Sequence, residues 1–129
     1  MSINFKPVKR PTPGIKNTGK GLWYPTICDR EKIDLNRILD DLKTRHNIHR
    51  ATTIHVLKAL EYYVAEKLKE GHSIHLGTFG IIYPTLEGTP SETAEKVSSK
   101  NIRKVNIRFR AGKTLREALH TASFRKVKE

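Results

Sequence analysis

Asn101-Ile-Arg-Lys-Val-Asn-Ile-Arg-Phe-Arg-Ala-Gly-Lys113 is the stretch on which the reading of this chain turns. Side chains alternate along a strand, so Val105, Ile107 and Phe109 fall on one face, and Lys104, Asn106, Arg108 and Arg110 on the other. One face can join a core. The other is a row of cations with no acidic residue among them, which suits a surface lying on a polyanion. Arg110-Ala-Gly112 then punctuates the strand. A helical pattern follows over about 113–122, with Leu115, Ala118, Leu119 and Ala122 on one side.

Working outward, the chain of 129 residues is long enough for one domain, or a small domain with tails. Its core can only be modest, and oligomerisation would help it. The net charge of +12 points to nucleic acid first and to an anionic membrane surface second. Residues 1–32 carry 7 basic and 2 acidic groups, residues 33–100 carry 9 and 9, and residues 101–129 carry 9 and 2. The middle is balanced like an ordinary folded unit, and the two ends hold the cations. Cys28 is the only cysteine, so no intramolecular disulfide forms, as fits a reducing cytosol. Residues 1–20 hold Pro and Lys but no apolar signal-peptide core, and no apolar run approaches the roughly 18 residues of a membrane span. A cytoplasmic protein without a membrane partner is expected.

Ile3, Phe5 and Val8 hint at a short strand that Pro11, Pro13 and Gly14 break. Leu22-Trp-Tyr-Pro-Thr-Ile27 is β-prone, with Pro25 keeping it at a sheet edge. Asp34 is a good N-cap for a first helix, whose stripe is Leu35, Ile38, Leu39 and Leu42, and Asn47 ends it. A longer helix runs from about Arg50 to Glu70, with Ile54, Leu57, Leu60, Val64 and Leu68 on one stripe and Val56, Ala59 and Tyr63 beside it. That face is wider than one short partner helix can cover. Gly71 is a natural stop. Strands are expected at His72–Leu76 and Phe79–Leu86, then a polar, turn-rich loop or mobile tip over 87–100. The stretch 123–129 reads as a basic tail.

Other motifs carry less. Gly14-Ile-Lys-Asn-Thr-Gly19-Lys20-Gly21 nearly spells a phosphate loop, but it lacks the Ser/Thr that would hold Mg²⁺ and is flanked by neither buried strand nor helix. A flexible basic arm is the better reading. His72 and His75 face opposite sides of a strand and His46/His49 span a helix break, so metal ligation is not expected. Cys28 beside Asp29 lacks the setting of a nucleophile. Trp23 and Tyr24 could stack on bases, though aromatics in an apolar patch more often pack. No enzymatic activity, cofactor, metal or small-molecule substrate is expected.

Two segments carry a family resemblance. Gly71-His-Ser-Ile-His-Leu-Gly-Thr-Phe-Gly80 resembles the place in bacterial HU proteins where helix 2 turns into the sheet and a Phe-Gly pair follows. Phe109-Arg-Ala-Gly-Lys-Thr-Leu115 resembles their Phe-Lys-Pro-Gly-Lys-x-Leu motif. Over about residues 33–122 the chain is thus similar to the HU and integration host factor family of histone-like DNA-bending proteins. Its N-terminal extension and Leu-Gly-x-Phe-Gly form are more like the extended HU-like proteins of Bacteroidetes-type bacteria.

The resemblance implies an α+β fold: helix–helix, a three-stranded sheet with a β-arm, then a C-terminal helix. The arm tip falls at about 87–100, and the extension of residues 1–32 can add edge strands. It implies an intertwined homodimer, or a heterodimer with a paralogue, whose two sheets form a saddle on double-stranded DNA. Val56, Leu57, Leu60, Tyr63, Val64, Phe79 and Phe109 would form the dimer interface. Arg103, Lys104, Arg108, Arg110 and Lys113 would line the saddle and arm root, with Lys96 and Lys100 further along the arm. Two departures stand out. The family's Arg-x-Pro-x-Thr wedge is missing from the tip, which carries Glu87, Glu92 and Glu95 instead, and Ala111 replaces the motif proline. Phosphate-driven, nucleoid-type DNA binding of low sequence specificity with modest bending is the leading expectation. An RNA-binding or ribosome-associated protein, and a protein-interaction module on a degenerate HU scaffold, stay open.

Overall fold

The computed structural model describes residues 2–10 and 21–127. In chain order its elements are β1 (Ser2–Arg10), β2 (Leu22–Ile27), α1 (Leu35–His46), α2 (Arg50–Lys69), β3 (Ile74–His75), β4 (Gly80–Gly88), β5 (Ile102–Ala111), α3 (Lys113–His120) and β6 (Ser123–Lys126). They divide into two compact units, one of Leu35–Ala118 and one of Met1–Asp34 with Leu119–Glu129.

In the larger unit, α1 begins directly after Asp34 and ends where Asn47 turns left-handed at φ 56°, its N–H bonding the Lys43 carbonyl. Helix α2 closes through Gly71 at φ 88°: the Gly71 N–H reaches Leu68 and the His72 N–H reaches Lys67, the paired bonds of a Schellman stop. Arg50 ties the two helices by bonding the Asn36 side chain and pairing with Asp40. Strand β3 is shorter than expected, with two residues instead of five: His72 is taken by the helix stop, and Leu76 by the turn that the Leu76–Gly80 backbone bond closes. The sheet order is β3-β4-β5 with both pairings antiparallel.

Ladder register sorts the sheet by chemistry. Ile74, Ile82, Phe109, Ile107, Leu86 and Val105 share one face. His75, Ile81, Tyr83, Arg108, Arg110 and Lys104 share the other. Among the described residues only Leu39 and Ile74 are buried hydrophobics. Helix α2 buries none of its residues. The wide apolar stripe of α2 and the apolar sheet face are therefore open surfaces in the single chain.

The segment 87–100 is not the shapeless loop its composition predicts. It contains two single-turn 3₁₀ helices, Ala94–Lys96 and Ser99–Asn101, and the second is closed by a reciprocal capping box between Ser98 and Asn101. Asn101 is the hub: its amide nitrogen bonds the Thr89 carbonyl at 3.1 Å and the Ser91 hydroxyl at 2.9 Å. Local side-chain-to-backbone bonds of this kind order a polar stretch that has no core of its own.

The smaller unit is a second sheet of order β2-β1-β6. Two expectations are corrected here. The N-terminal strands do not extend the β3-β4-β5 sheet; they pair with each other, Phe5 opposite Ile27 and Val8 opposite Tyr24. The stretch expected as a basic tail contains β6, which lies parallel to β1 with Phe124 beside Ile3. Its charge masked the one apolar residue that fits this face. Pro25 does sit on an edge strand. Trp23 and Tyr24, expected to pack, are 63% and 37% exposed. The phosphate-loop look-alike over 14–20 lies outside the described residues.

Candidate nucleic-acid interface

The β4–β5 ladder builds the cationic row that the sequence promises. Arg110 stands opposite Ile81, Arg108 opposite Tyr83, Asn106 opposite Thr85 and Lys104 opposite Glu87. Strand rise separates Arg108 from Arg110 by about 7 Å along this row. Lys104, Arg108 and Arg110 form no ion pair among the described residues, so their charges are available to an external anion.

Arg103 behaves differently from its neighbours. A bulge between Glu87 and Gly88 breaks the alternation, and the Arg103 guanidinium donates to Glu87 Oε1 at 2.7 Å. Asn106 donates to the other Glu87 oxygen at 3.4 Å. One carboxylate at the end of β4 thus holds one donor from each of two β5 residues. Lys113 lies 3.8 Å from Glu117 and Lys96 lies 3.8 Å from Glu92, both exposed i,i+4 pairs that cost little to break. Lys96 and Lys100 sit on the 3₁₀ turns of the tip, on different elements from the row on β5.

At the end of β5, Arg110, Lys113 and Arg116 line one notch of about 340 Å³ with Gly77, Thr78 and Gly112. The motif glycine makes this possible. A Cβ on Gly112 would lie 2.1 Å from the Thr78 carbonyl oxygen, so only glycine lets the strand turn into α3 against that loop. Gly80 is equally constrained: at φ 155° its missing Cβ would meet the Arg110 carbonyl at 2.6 Å and the Phe109 ring. The Phe-Gly pair and the Ala-Gly-Lys motif are therefore two halves of one junction. Arg116 is the residue that sequence reading missed. The available signal was its i+3 spacing from Lys113, which puts both on one helix face.

The residues expected at a dimer interface are laid out on two surfaces. Val56, Leu60 and Tyr63 are exposed on α2, with Leu57 and Val64 half-buried. Phe79 and Phe109 lie together beside the sheet, with ring centroids 5.8 Å apart.

A helix pair, an arm-bearing antiparallel sheet and a closing helix define an HU-like α+β domain. The profile of the HU-HIG family, described as an HU domain fused to wHTH, Ig, or a glycine-rich motif, matches residues 1–126, and the chain belongs to that family. The crystal structure of a candidate bacterial DNA-binding protein from Bacteroides vulgatus has the same fold, with a TM-score of 0.68 at 18% identity over 100% of this chain and 50% of that one. The chain thus spans half the length of that protein. No curated protein matches it.

Proposed function

We propose that the chain is a non-enzymatic, nucleoid-associated protein that binds double-stranded DNA as an intertwined homodimer, mainly through phosphates and with low sequence specificity. The observation that carries this reading is the unpaired row Lys104, Arg108 and Arg110 on one sheet face, running into the notch of Lys113 and Arg116. Fixed cations at strand spacing hold a polyanion by charge and geometry without reading base edges. Membership of an HU-type family and the likeness to a candidate DNA-binding protein support the same reading. Its place would be the cytoplasmic nucleoid.

Burial supports the dimer. Among the described residues Leu39 and Ile74 are the only buried hydrophobic side chains, too few to stabilise the Leu35–Ala118 unit, whereas mating the α2 stripes and the apolar sheet faces of two protomers would create a core.

The test is a titration of labelled duplex DNA at several salt concentrations, with structured RNA as competitor. Affinity should fall steeply with salt, change little when the DNA sequence is scrambled, and resist the RNA. Binding that ignores salt, or that RNA abolishes at equal mass, would overturn the reading.

A further inference from the structure

The β2-β1-β6 sheet has one apolar face that nothing in its own unit covers. Register places Ile3, Phe5, Pro25, Ile27, Phe124 and Trp23 on that side. Five of them, all but Trp23, line a hollow of about 510 Å³. Trp23 is 63% and Phe124 68% exposed. The opposite side carries Asn4, Lys6, Arg10, Thr26 and Arg125, with Val8, Leu22 and Tyr24 toward the β1–β2 end, so it is the more polar and more cationic of the two. A single sheet layer with one apolar face is stable when a second layer buries it.

We propose that this face is a self-association surface, on which two copies of the chain pack their sheets face to face into a two-layer sandwich. Charge placement selects this occupant. No acidic residue lies in any of the three strands. On the apolar side the cations among the described strand residues are Lys9, opposite Trp23 near the end of β1, and Lys126, on the edge strand β6 beside Phe5. A polyanion would find its cations on the other side. An identical apolar centre is complementary to itself when sheets stack about 10 Å apart, and the terminal lysines then stay in solvent at the rim.

Area sets the strength. Trp23, Phe124 and Phe5 are already partly covered, so of the about 150–250 Å² that each could bury roughly 400 Å² in all remains per copy, and a pair buries about 800 Å². That is the size of a weak contact, and association on the order of 100 µM is expected. The contact is distinct from the α2 surface and does not depend on DNA binding. It would join assemblies already concentrated on one nucleic acid or in one compartment.

Trp23 is the only tryptophan and lies on this face, so the unmodified protein reports on itself. Without DNA, its emission should shift blue and its acrylamide quenching should fall as protein rises from roughly 1 to 500 µM, bracketing that constant. Sedimentation should show larger assemblies appearing over the same range. The variant Ile27→Lys with Phe124→Lys should keep its circular dichroism and lose the larger assemblies. A Trp23 signal that ignores concentration overturns the proposal. So does shielding already complete at the lowest concentration, which would place the cover within the smaller assembly. Quenching by a short single-stranded oligonucleotide in dilute protein would instead make the face a base-stacking platform. If the double variant unfolds, the wild-type fluorescence decides alone.

Discussion

Phe79 and Phe109 pack ring to ring, with centroids 5.8 Å apart and planes tilted by 55°, yet each leaves about half its surface exposed, at 54% and 50%. The pair fastens the turn before β4 to the end of β5, across the place where Gly80 lets the chains approach. An aromatic pair contributes ~0.5–1.5 kcal/mol beyond its area. The half that stays open is what a second protomer would cover.

Phe109→Ala should therefore lower stability by about 2 kcal/mol, combining the lost pair with lost burial at the interface. Urea unfolding of both proteins at several concentrations measures it. In the wild type the midpoint should rise with protein concentration, as linked dimerisation requires. Leu60→Asp on α2 should abolish folding rather than give a folded monomer. A concentration-independent midpoint, or a folded Leu60→Asp monomer, would contradict the dimer.

The junction glycines make a second, local prediction. Gly112→Ala forces a methyl to within 2.1 Å of the Thr78 carbonyl, which a backbone atom cannot evade cheaply. A loss of about 2–4 kcal/mol is expected, in the range of other strained or overpacked sites. Gly71→Ala offers a control with open space around it. Its only penalty is the positive φ, so it should cost about 1 kcal/mol. Thermal melts of the two variants should rank in that order.

Much of this junction was legible in the sequence, because Phe79-Gly80 and Gly112-Lys113 are short-range signatures of positions only glycine can fill. The helices were legible for a similar reason: apolar spacing set their bodies, and Asn47 and Gly71 set their ends. The parts that were not legible depend on distant or side-chain-specific contacts. Strand β6 exists because Phe124 finds Ile3 across most of the chain, and no local pattern encodes a parallel pairing of four residues. The ordered tip rests on what one amide, Asn101, can reach. The capture of Arg103 follows from a bulge, which alternation counts as regular strand.

That capture yields the next prediction. Glu87 pairs with Arg103 and accepts from Asn106, so a DNA phosphate bound there would have to displace it. Glu87→Gln removes the competing charge at two places in a dimer. Exposed ion pairs are worth ~0.2–1 kcal/mol each, so affinity for duplex DNA should rise about 2- to 5-fold. Arg103→Ala should weaken binding only slightly. A Glu87→Gln protein that binds more weakly than wild type would mean that Glu87 organises the arm root instead of restraining it.

The cationic row predicts a salt signature. Each phosphate contact contributes about −0.9 to the slope of log K against log salt, and a dimer using the β5 row and notch should make roughly 5–9 contacts. Arg108→Ala with Arg110→Ala removes four cations per dimer, so the slope should become shallower by roughly 2–4. Arg116→Ala should cost about one contact per protomer if the notch grips a phosphate. Unchanged slopes in these variants would move the interface off this face.

The last prediction concerns the tip, which lacks the Arg-x-Pro-x-Thr wedge motif of HU proteins. A wedge needs an apolar or proline side chain held firmly at the end of the ribbon, because unstacking a base step costs a few kcal/mol. The Asn101 network supplies the firmness, and Leu86 and Val97 are exposed near Pro90 around one hollow. Against this stand Glu92 and Glu95, whose carboxylates the phosphates repel, with Lys96 partly compensating Glu92. The repulsion should dominate, since both carboxylates lie on the tip itself. Replacing residues 89–98 by a short turn should therefore lower affinity less than the Arg108/Arg110 double substitution does. Energy transfer between dyes at the ends of a short duplex should report a smaller bend than a typical HU gives. Asn101→Ala, which releases the tip without removing a charge, should leave that bend unchanged. A large bend that disappears in both the deletion and Asn101→Ala would show that the ordered tip drives apolar groups between bases.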